Sequence, residues 1–171
     1  IYGIIDRSTL TRIEGGRRGP SYQVLKAHLQ RLGISENRCQ ILIGPQEFAI
    51  VELQREIVAD NVKHDFSAAL QKIERLEALF QPEQQPILQQ FVLRVRALAG
   101  YEKDGQHFDY DYPTQRRMLT QALELTCTGI NLEHMSGFLL GEDETKIINK
   151  LAITYAEAGK RRQAIAIYRQ L

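Results

Sequence analysis

Apolar residues recur at spacings of three and four along almost the whole chain of 171 residues, which is the period of an α-helix. Alternating patterns that would indicate strands are few. Apolar residues make up 43% of the sequence, which is enough for a packed core and too much for a disordered chain. The sequence therefore predicts an all-α fold in which successive helices pair.

Breaks at glycine and proline divide this pattern into helices. Ser8 is the expected N-cap of the first helix, and Pro20-Ser21 starts the second. The predicted helices are Thr9–Glu14, Tyr22–Leu32, Glu36–Ile43, Gln46–Lys63, Phe66–Phe80, Pro86–Tyr101, Pro113–Cys127, Glu144–Ala158 and Lys160–Leu171. Between them, we expect a polar, aromatic connector at Lys103–Tyr112 and an irregular segment at Asn131–Leu140.

The final predicted helix pair carries the clearest internal pattern, in TKIINKLAITYAEAGKRRQAIAIYRQL. Ala152 and Ala164 stand where two closely crossing helices need small side chains, and Gly159 supplies the turn between them. The large residues at fixed offsets are Leu151, Tyr155 and Tyr168. This pattern resembles a tetratricopeptide repeat. The resemblance implies that residues 45–171 form a tetratricopeptide-like α-solenoid of antiparallel helix pairs, incomplete at its C-terminal end.

A different pattern opens the chain, in STLTRIEGGRRGPS at residues 8–21. A short helix with hydroxyl groups at its start ends at two glycines, and two arginines and a Pro-Ser helix start follow. This segment resembles the recognition helix and the next turn of an Xre-type helix-turn-helix domain, with Leu10 and Ile13 as buried anchors. The resemblance implies a DNA-binding domain over residues 1–44 that lacks its N-terminal helices.

By this resemblance, the N-terminal part of the first helix lies in the major groove of double-stranded DNA. Arginine can pair with guanine, and a hydroxyl can serve several bases. The implied base-reading residues are Arg7, Ser8, Thr9 and Arg12. The implied phosphate contacts that follow the helix are Arg17, Arg18 and Ser21.

Charge is distributed unevenly along the chain, although the formal net charge is only +1. Residues 1–38 hold seven Lys or Arg against three acids, whereas the rest holds 15 Lys or Arg against 18 acids. A basic segment at one end of a slightly acidic body favours a polyanionic partner at that end.

The combination of a helix-turn-helix with tetratricopeptide-like helices resembles the peptide-pheromone receptors of Gram-positive bacteria, the RRNPP family of transcription regulators. Residues 131–171 also look like the central part of such regulators. The resemblance implies a homodimer used in quorum sensing, whose solenoid binds a short signalling peptide on its concave face. The implied peptide-binding residues are Asn149, Lys146, Ile153 and Arg94. A carboxamide such as that of Asn149 can clamp a peptide backbone, because it both donates and accepts hydrogen bonds.

Two other functions remain open on the residues alone. Helices over residues 45–171 can form a protein-interaction module beside a helix-turn-helix that has lost its role. Alternatively, the chain is a DNA-binding repressor that senses no peptide and uses its helices only to dimerise.

The residue types that enzymes and metal sites need are scattered along the chain. The histidines, which show no ligand spacing, are His28, His64, His107 and His134. The two cysteines, Cys39 and Cys127, are far apart in the sequence. No phosphate-binding glycine loop precedes a predicted helix. We therefore expect no enzyme, no cofactor and no metal.

The sequence shows no signal peptide and no apolar run long enough to span a bilayer. We expect a reduced, cytoplasmic setting and no membrane partner. The chain lacks an initiator Met, and Leu171 falls where a helix should continue. We therefore expect further residues beyond both ends.

Overall fold

The computed structural model describes residues 3–35 and 43–171, and these residues are mostly helical. In these ranges the helices are α1 (Arg7–Glu14), α2 (Tyr22–Arg31), α3 (Pro45–Val62), α4 (Phe66–Glu77), α5 (Pro86–Ala99), α6 (Tyr112–Glu124), α7 (Glu142–Glu157) and α8 (Arg161–Tyr168). The predicted helical fold class is confirmed. The predicted helix Glu36–Ile43 falls on residues 36–42, outside the described residues, and so does Cys39.

Residues 3–35 are called the N-terminal segment below, and a capping side chain starts each of its two helices. Asp6, rather than the predicted Ser8, caps α1, and its carboxylate accepts a hydrogen bond from Thr9 N at 2.9 Å. The Ser8 prediction was wrong because Ser8 already lies inside the helix, whereas Asp6 keeps an extended backbone. α2 begins after Pro20-Ser21 as predicted, and Ser21 Oγ accepts from Val24 N at 3.4 Å.

The helices over residues 43–171, called the body below, pack in chain order, each against the next. α5 lies at the centre of the body and contributes to two hydrophobic cores. The first core joins α3, α4 and α5 around Ile57. The second core joins α6, α7 and α8 around Leu119, and it takes Ala97 from α5. Each aliphatic side chain buried in these cores stabilises the fold by about 2 kcal/mol.

The last helix pair buries the small residues of its sequence pattern but leaves one of the large residues exposed. α7 and α8 pack together, and their small residues Ala152 and Ala164 are buried, as is Leu151. Gly159, between the helices, has a φ of 77°, which favours glycine. Tyr168 on α8 is 42% exposed. Ala152 thus lies in the second core and Ala164 is buried beside it, while the outer side of α8 stays uncovered among the described residues.

The connector predicted over Lys103–Tyr112 contains part of a β-hairpin, formed by β1 (Tyr101–Lys103) and β2 (Gln106–Phe108). The strands pair antiparallel, with Tyr101 opposite Phe108. The turn residues Asp104 and Gly105 both have positive φ, the conformation that Asp-Gly favours in two-residue hairpin loops. The Asp-Gly pair was therefore the sequence signal for this hairpin, and a search for helical periods passes over it.

α2 is attached to the body at both of its ends. Tyr22 N donates to Glu47 Oε1 at 3.0 Å, and Arg31 forms an ion pair with Glu144 at 2.9 Å in which both side chains are buried. Glu47 and Glu144 each stand in the first turn of a body helix and also accept a hydrogen bond from the backbone N–H at that helix's N-cap. The N-terminal segment therefore contacts the first turns of both α3 and α7.

Candidate functional site

α1 exposes most of the side chains that the sequence predicts to read bases. Arg7, Ser8 and Arg12 are exposed, and Thr9 is half-buried. None of the eight residues of α1 is buried. Five of the eight residues of α1 are therefore exposed to solvent, and Thr9, Leu10 and Ile13 are half-buried.

The apolar residues of α1 are less buried than predicted. Leu10 and Ile13 are both half-buried rather than core residues. A cavity of about 810 Å³ separates this side of α1 from α3, and Ile13 and Ile50 line it. Ile13 therefore faces this cavity, whereas Leu10 does not line it.

Asp6 engages the hydroxyl groups at the start of α1. Ser8 Oγ donates to Asp6 Oδ1 at 2.6 Å, and Thr9 Oγ1 donates to Asp6 Oδ2 at 2.7 Å. These hydrogen bonds hold the pKa of the Asp6 carboxyl well below its usual range. Because both hydroxyl hydrogens are donated to Asp6, the Ser8 and Thr9 hydroxyls retain only their oxygen lone pairs for other hydrogen bonds.

The turn after α1 adds two further exposed arginines, Arg17 and Arg18. Their backbone N–H groups donate to Arg12 O at 2.8 and 3.2 Å, which holds the turn against the end of α1. Ser21 is also exposed and begins α2. The predicted phosphate-contacting residues therefore directly follow the helix that carries the predicted base readers.

A groove of about 770 Å³ lies between α3, α5, α6 and α7. Its apolar and aromatic residues are Val58, Val62, Phe66, Val95, Leu98, Tyr110, Tyr112 and Pro113. Its ionisable residues are His64, Arg94, Asp109, Asp111, Lys146, Lys150 and Glu157. The lining therefore combines apolar and aromatic side chains with polar and charged ones in about equal number.

Three polar side chains of the groove have buried atoms without a hydrogen-bond partner in the described part of the chain. They are Asn61 (Nδ2 and Oδ1), Arg94 (Nε) and Gln115 (Oε1). Arg94 and Gln115 are only 7% and 8% exposed. An unpaired buried polar atom costs about 1–3 kcal/mol. The set therefore indicates that a polar ligand or ordered water belongs in the groove.

The two predicted peptide-binding cations in the groove differ in how firmly they are held. Arg94 Nη2 pairs with Asp143 at 2.9 Å, and its guanidinium lies 5.2 Å from the centre of the Phe91 ring. Lys146 Nζ pairs with Glu142 at 2.5 Å, but both of these side chains are at least half exposed. The Arg94 side chain is therefore held in place by its neighbours, whereas the more exposed Lys146 side chain is free to change conformation when a ligand binds.

The groove brings together only part of the predicted peptide-binding set. Arg94 and Lys146 line it, whereas Asn149 and Ile153 do not. Asn149 is exposed and Ile153 is half-buried on α7. The residues of α7 that line the groove are Lys146, Lys150 and Glu157, at the four- and seven-residue spacing of one helix face.

Asn61 and Gln115 are groove residues that sequence reasoning missed. Each is an ordinary polar residue of an amphipathic helix when the sequence is read by itself. Their distinguishing property is a buried atom with no partner, and this depends on how α3 and α6 are placed around α5. No sequence pattern shows that these polar atoms are buried and lack a partner.

Other kinds of site are absent from the part of the chain that the structure describes. Residues 3–35 and 43–171 contain no group of three or more His, Cys, Asp or Glu that could hold a metal ion. Across the same residues, no helix has both the length and the apolar character needed to cross a membrane. Burial raises the pKa of the Cys127 thiol, so this cysteine stays protonated at neutral pH.

Comparison of the chain with protein-family models, with curated proteins and with solved structures finds no match. Function must therefore be inferred from the exposed helix α1 and the groove themselves.

Proposed function

We propose that the protein is a sequence-specific, DNA-binding transcriptional regulator of the RRNPP kind. Its N-terminal segment is an Xre-type helix-turn-helix, and its body is a tetratricopeptide-like solenoid. A short peptide bound in the groove alters DNA binding by a homodimer. The observation that carries the proposal is that α1, which has no buried residue, holds Arg7 and Arg12 in solvent.

The dimensions and chemistry of α1 suit the major groove of DNA. Eight residues make a helix about 12 Å long, comparable to the width of the major groove of DNA. Arg7 and Arg12 each supply the forked donors that pair with guanine. Arg17 and Arg18 then meet phosphates, which position the helix without reading sequence.

The groove has the features that a peptide backbone requires. A peptide presents both N–H donors and C=O acceptors, and the carboxamides of Asn61 and Gln115 can meet either. The apolar wall accommodates side chains, while Lys146 and Lys150 can meet a carboxylate. Hydrogen bonds from a peptide to the unpaired atoms of Asn61, Arg94 and Gln115 offset the free-energy cost of burying them.

Fluorescence anisotropy with the full chain tests the DNA half of the proposal. Duplexes selected from a random library by this protein should bind more tightly than scrambled duplexes at moderate salt. Arg17→Ala should weaken all duplexes and reduce the slope of log K against log salt by about one unit. Arg162→Ala, which removes an exposed arginine of α8, is the matched control and should leave the slope unchanged. Equal binding of selected and scrambled duplexes would contradict sequence-specific recognition.

A protein-interaction module is the second candidate, and one observation favours it. Ile165 and Tyr168, three residues apart on α8, are 52% and 42% exposed. Neighbouring apolar side chains on a surface helix are typical of a contact with another protein. Copurification of a partner that Ile165→Ser removes, together with no DNA footprint, would favour this function. Calorimetry with short peptides separates the peptide-sensing regulator from a DNA-binding repressor that senses no peptide.

A further inference from the structure

Three carboxylates border one end of the groove. Asp109 and Asp111 lie directly before α6, and Glu157 is the last residue of α7. The start of α6 and the end of α7 are neighbours, because Arg116 Nη1 donates to Thr154 O at 3.4 Å. The three carboxylates therefore lie at the same end of the groove, which is called the acidic end below.

Two of these carboxylates are not engaged by other groups in the described part of the chain. Asp111 caps α6 and accepts a hydrogen bond from Thr114 N at 2.8 Å. The Asp109 and Glu157 side chains, by contrast, are exposed and form neither an ion pair nor a hydrogen bond with any described residue. The negative end of the α7 dipole lies beside Glu157 and acts in the same direction as its charge. The acidic end therefore attracts a cation.

The lysines and arginine that line the groove leave this negative charge uncompensated. Arg94 and Lys146 already pair with carboxylates of the first turn of α7, which lie outside the lining. Lys150 is the remaining lysine of the lining, and it lies two turns, about 10 Å, before the end of α7. With the ion pairs counted as neutral, the three carboxylates exceed Lys150 even when the neighbouring Arg116 is included.

Gln115 is an independent sign that a ligand binds at the acidic end. It lines the groove and is only 8% exposed, and its Oε1 is buried without a hydrogen-bond partner among the described residues. It stands one turn after Asp111, whose carbonyl oxygen accepts from Gln115 N at 2.9 Å. Because buried acceptors are normally satisfied, this Oε1 calls for a donor that the described residues do not provide.

We propose that an ammonium group of the ligand binds at the acidic end, where it donates a hydrogen bond to Gln115 Oε1 and is attracted by Asp109 and Glu157. The unpaired acceptor needs a donor and the free carboxylates favour a cation, and an ammonium group is both. Tyr110 and Tyr112 line the groove beside these carboxylates, and aromatic faces attract cations. The inference rests on the proposed function in that it needs a peptide in the groove, and it names the group by which the groove recognises that peptide.

Affinity selection on the immobilised full chain tests this inference. The probe is a pool of heptapeptides that are randomised over uncharged residues and amidated at the C-terminus, with half of the molecules of every sequence acetylated at the amino terminus. Acetylation removes the positive charge but leaves one N–H donor. We expect the free form of the retained sequences to be enriched about tenfold over the acetylated form, the size of one charge-assisted hydrogen bond. Mass spectrometry measures the ratio of the two forms.

A second pool separates the two sources of an ammonium group in a peptide. All of its peptides are acetylated, and half of them carry one lysine in place of an uncharged residue. Enrichment of the lysine peptides in this pool, without enrichment of free amino termini in the first, would assign the acidic end to a lysine side chain. The reverse result would assign it to the amino terminus, and either result supports the ammonium site.

Substitutions locate the ammonium group. Asp109→Asn combined with Glu157→Gln should bring the ratio close to one, and both side chains are exposed, so the fold should persist. The matched control is Glu74→Gln combined with Glu133→Gln, which removes two exposed carboxylates outside the groove and should leave the ratio unchanged. Gln115→Met removes the acceptor at similar side-chain length and should weaken retention of both forms. Circular dichroism shows whether each variant is folded, and the exposed pair decides the matter if Gln115→Met is not.

The outcomes separate the ammonium site from the wider function. A ratio close to one for both pools would overturn the site and leave a groove that binds peptide. An unchanged ratio in Asp109→Asn combined with Glu157→Gln would overturn it in the same way. Retention of no peptide would overturn the peptide half of the proposed function as well. DNA binding is measured on the same protein by anisotropy, so loss of the DNA half is a distinct result.

Discussion

α1 and α5 are both helices, but different interactions hold them in place. α5 buries eight of its 14 residues and contributes to both cores of the body. α1 buries none of its eight and depends on the Asp6 cap, with a cavity beside it. A helix held by packing has most of its surface committed to the fold. A helix held by its cap leaves that surface open to solvent, and α1 exposes Arg7 and Arg12 there.

α2 is intermediate between α1 and α5 in how much of it is buried. It follows α1 in the chain and packs against α5. It buries only Leu29, and polar contacts join it to the first turns of α3 and α7. The N-terminal segment is therefore attached through charges and hydrogen bonds as well as through apolar contacts. These polar contacts require a specific geometry, and a change of charge in one of their residues weakens them.

The largest expected effect concerns this attachment. Glu144→Ala leaves the buried Arg31 without its carboxylate partner and removes the acceptor of Thr126, so we expect a loss of about 4 kcal/mol in the free energy of unfolding. Urea denaturation measures it. Glu77→Ala breaks the partly exposed ion pair with Arg96 and should cost less than about 1 kcal/mol. Equal losses in the two variants would show that α2 is not held by a buried charge pair.

The next largest effect on stability compares a helix held by packing, α6, with α1, which is held by its cap. Leu119→Ala creates a cavity in the second core and should cost about 3 kcal/mol, because this leucine is completely buried. Leu10→Ala in α1 should cost less than about 1.5 kcal/mol, since Leu10 is only half-buried. Both are measured by denaturant unfolding. A cost at Leu10 as large as that at Leu119 would mean that α1 belongs to a core.

A smaller effect concerns the exposed surface of α1. Arg12→Ala should reduce discrimination between a selected duplex and its single-base variants by about 1–3 kcal/mol, while the free energy of unfolding stays the same. Competition anisotropy measures the discrimination. Arg161→Ala, at the start of α8, removes an exposed arginine of the body and serves as control. Unaltered discrimination between the duplexes in Arg12→Ala would show that Arg12 does not contact the bases.

The smallest effect concerns the Asp6 cap and its dependence on pH. The folded-state pKa of Asp6 is lowered from its ordinary value of 3.8, so the charged cap stabilises α1 above that value. This stabilisation should be lost progressively as pH falls through 3.8 and below. Amide exchange in α1 measures the change. Asp6→Asn retains a capping acceptor without charge and should show no such dependence. The same pH profile in both proteins would assign the effect to another group.

Much of the helical layout is predictable because its determinants are local. Pro45, Pro86 and Gly159 mark the helix breaks, and the observed ends differ from the predicted ones by a few residues. The Ser8 cap was wrong for a local reason, since an aspartate two residues earlier caps the helix and so places Ser8 in its first turn. The hairpin was missed because its strands have only three residues each, too few to show a period.

By itself, the sequence determined the helical class, the main breaks between helices and the basic character of α1, because these follow from period, capping and composition within short stretches. Only the tertiary structure decided which residues form the groove. Asn61, Arg94 and Gln115 come from three helices, and their importance lies in buried polar atoms that no neighbour satisfies. Burial and partnership arise when helices distant in sequence pack together, so no local pattern contains them.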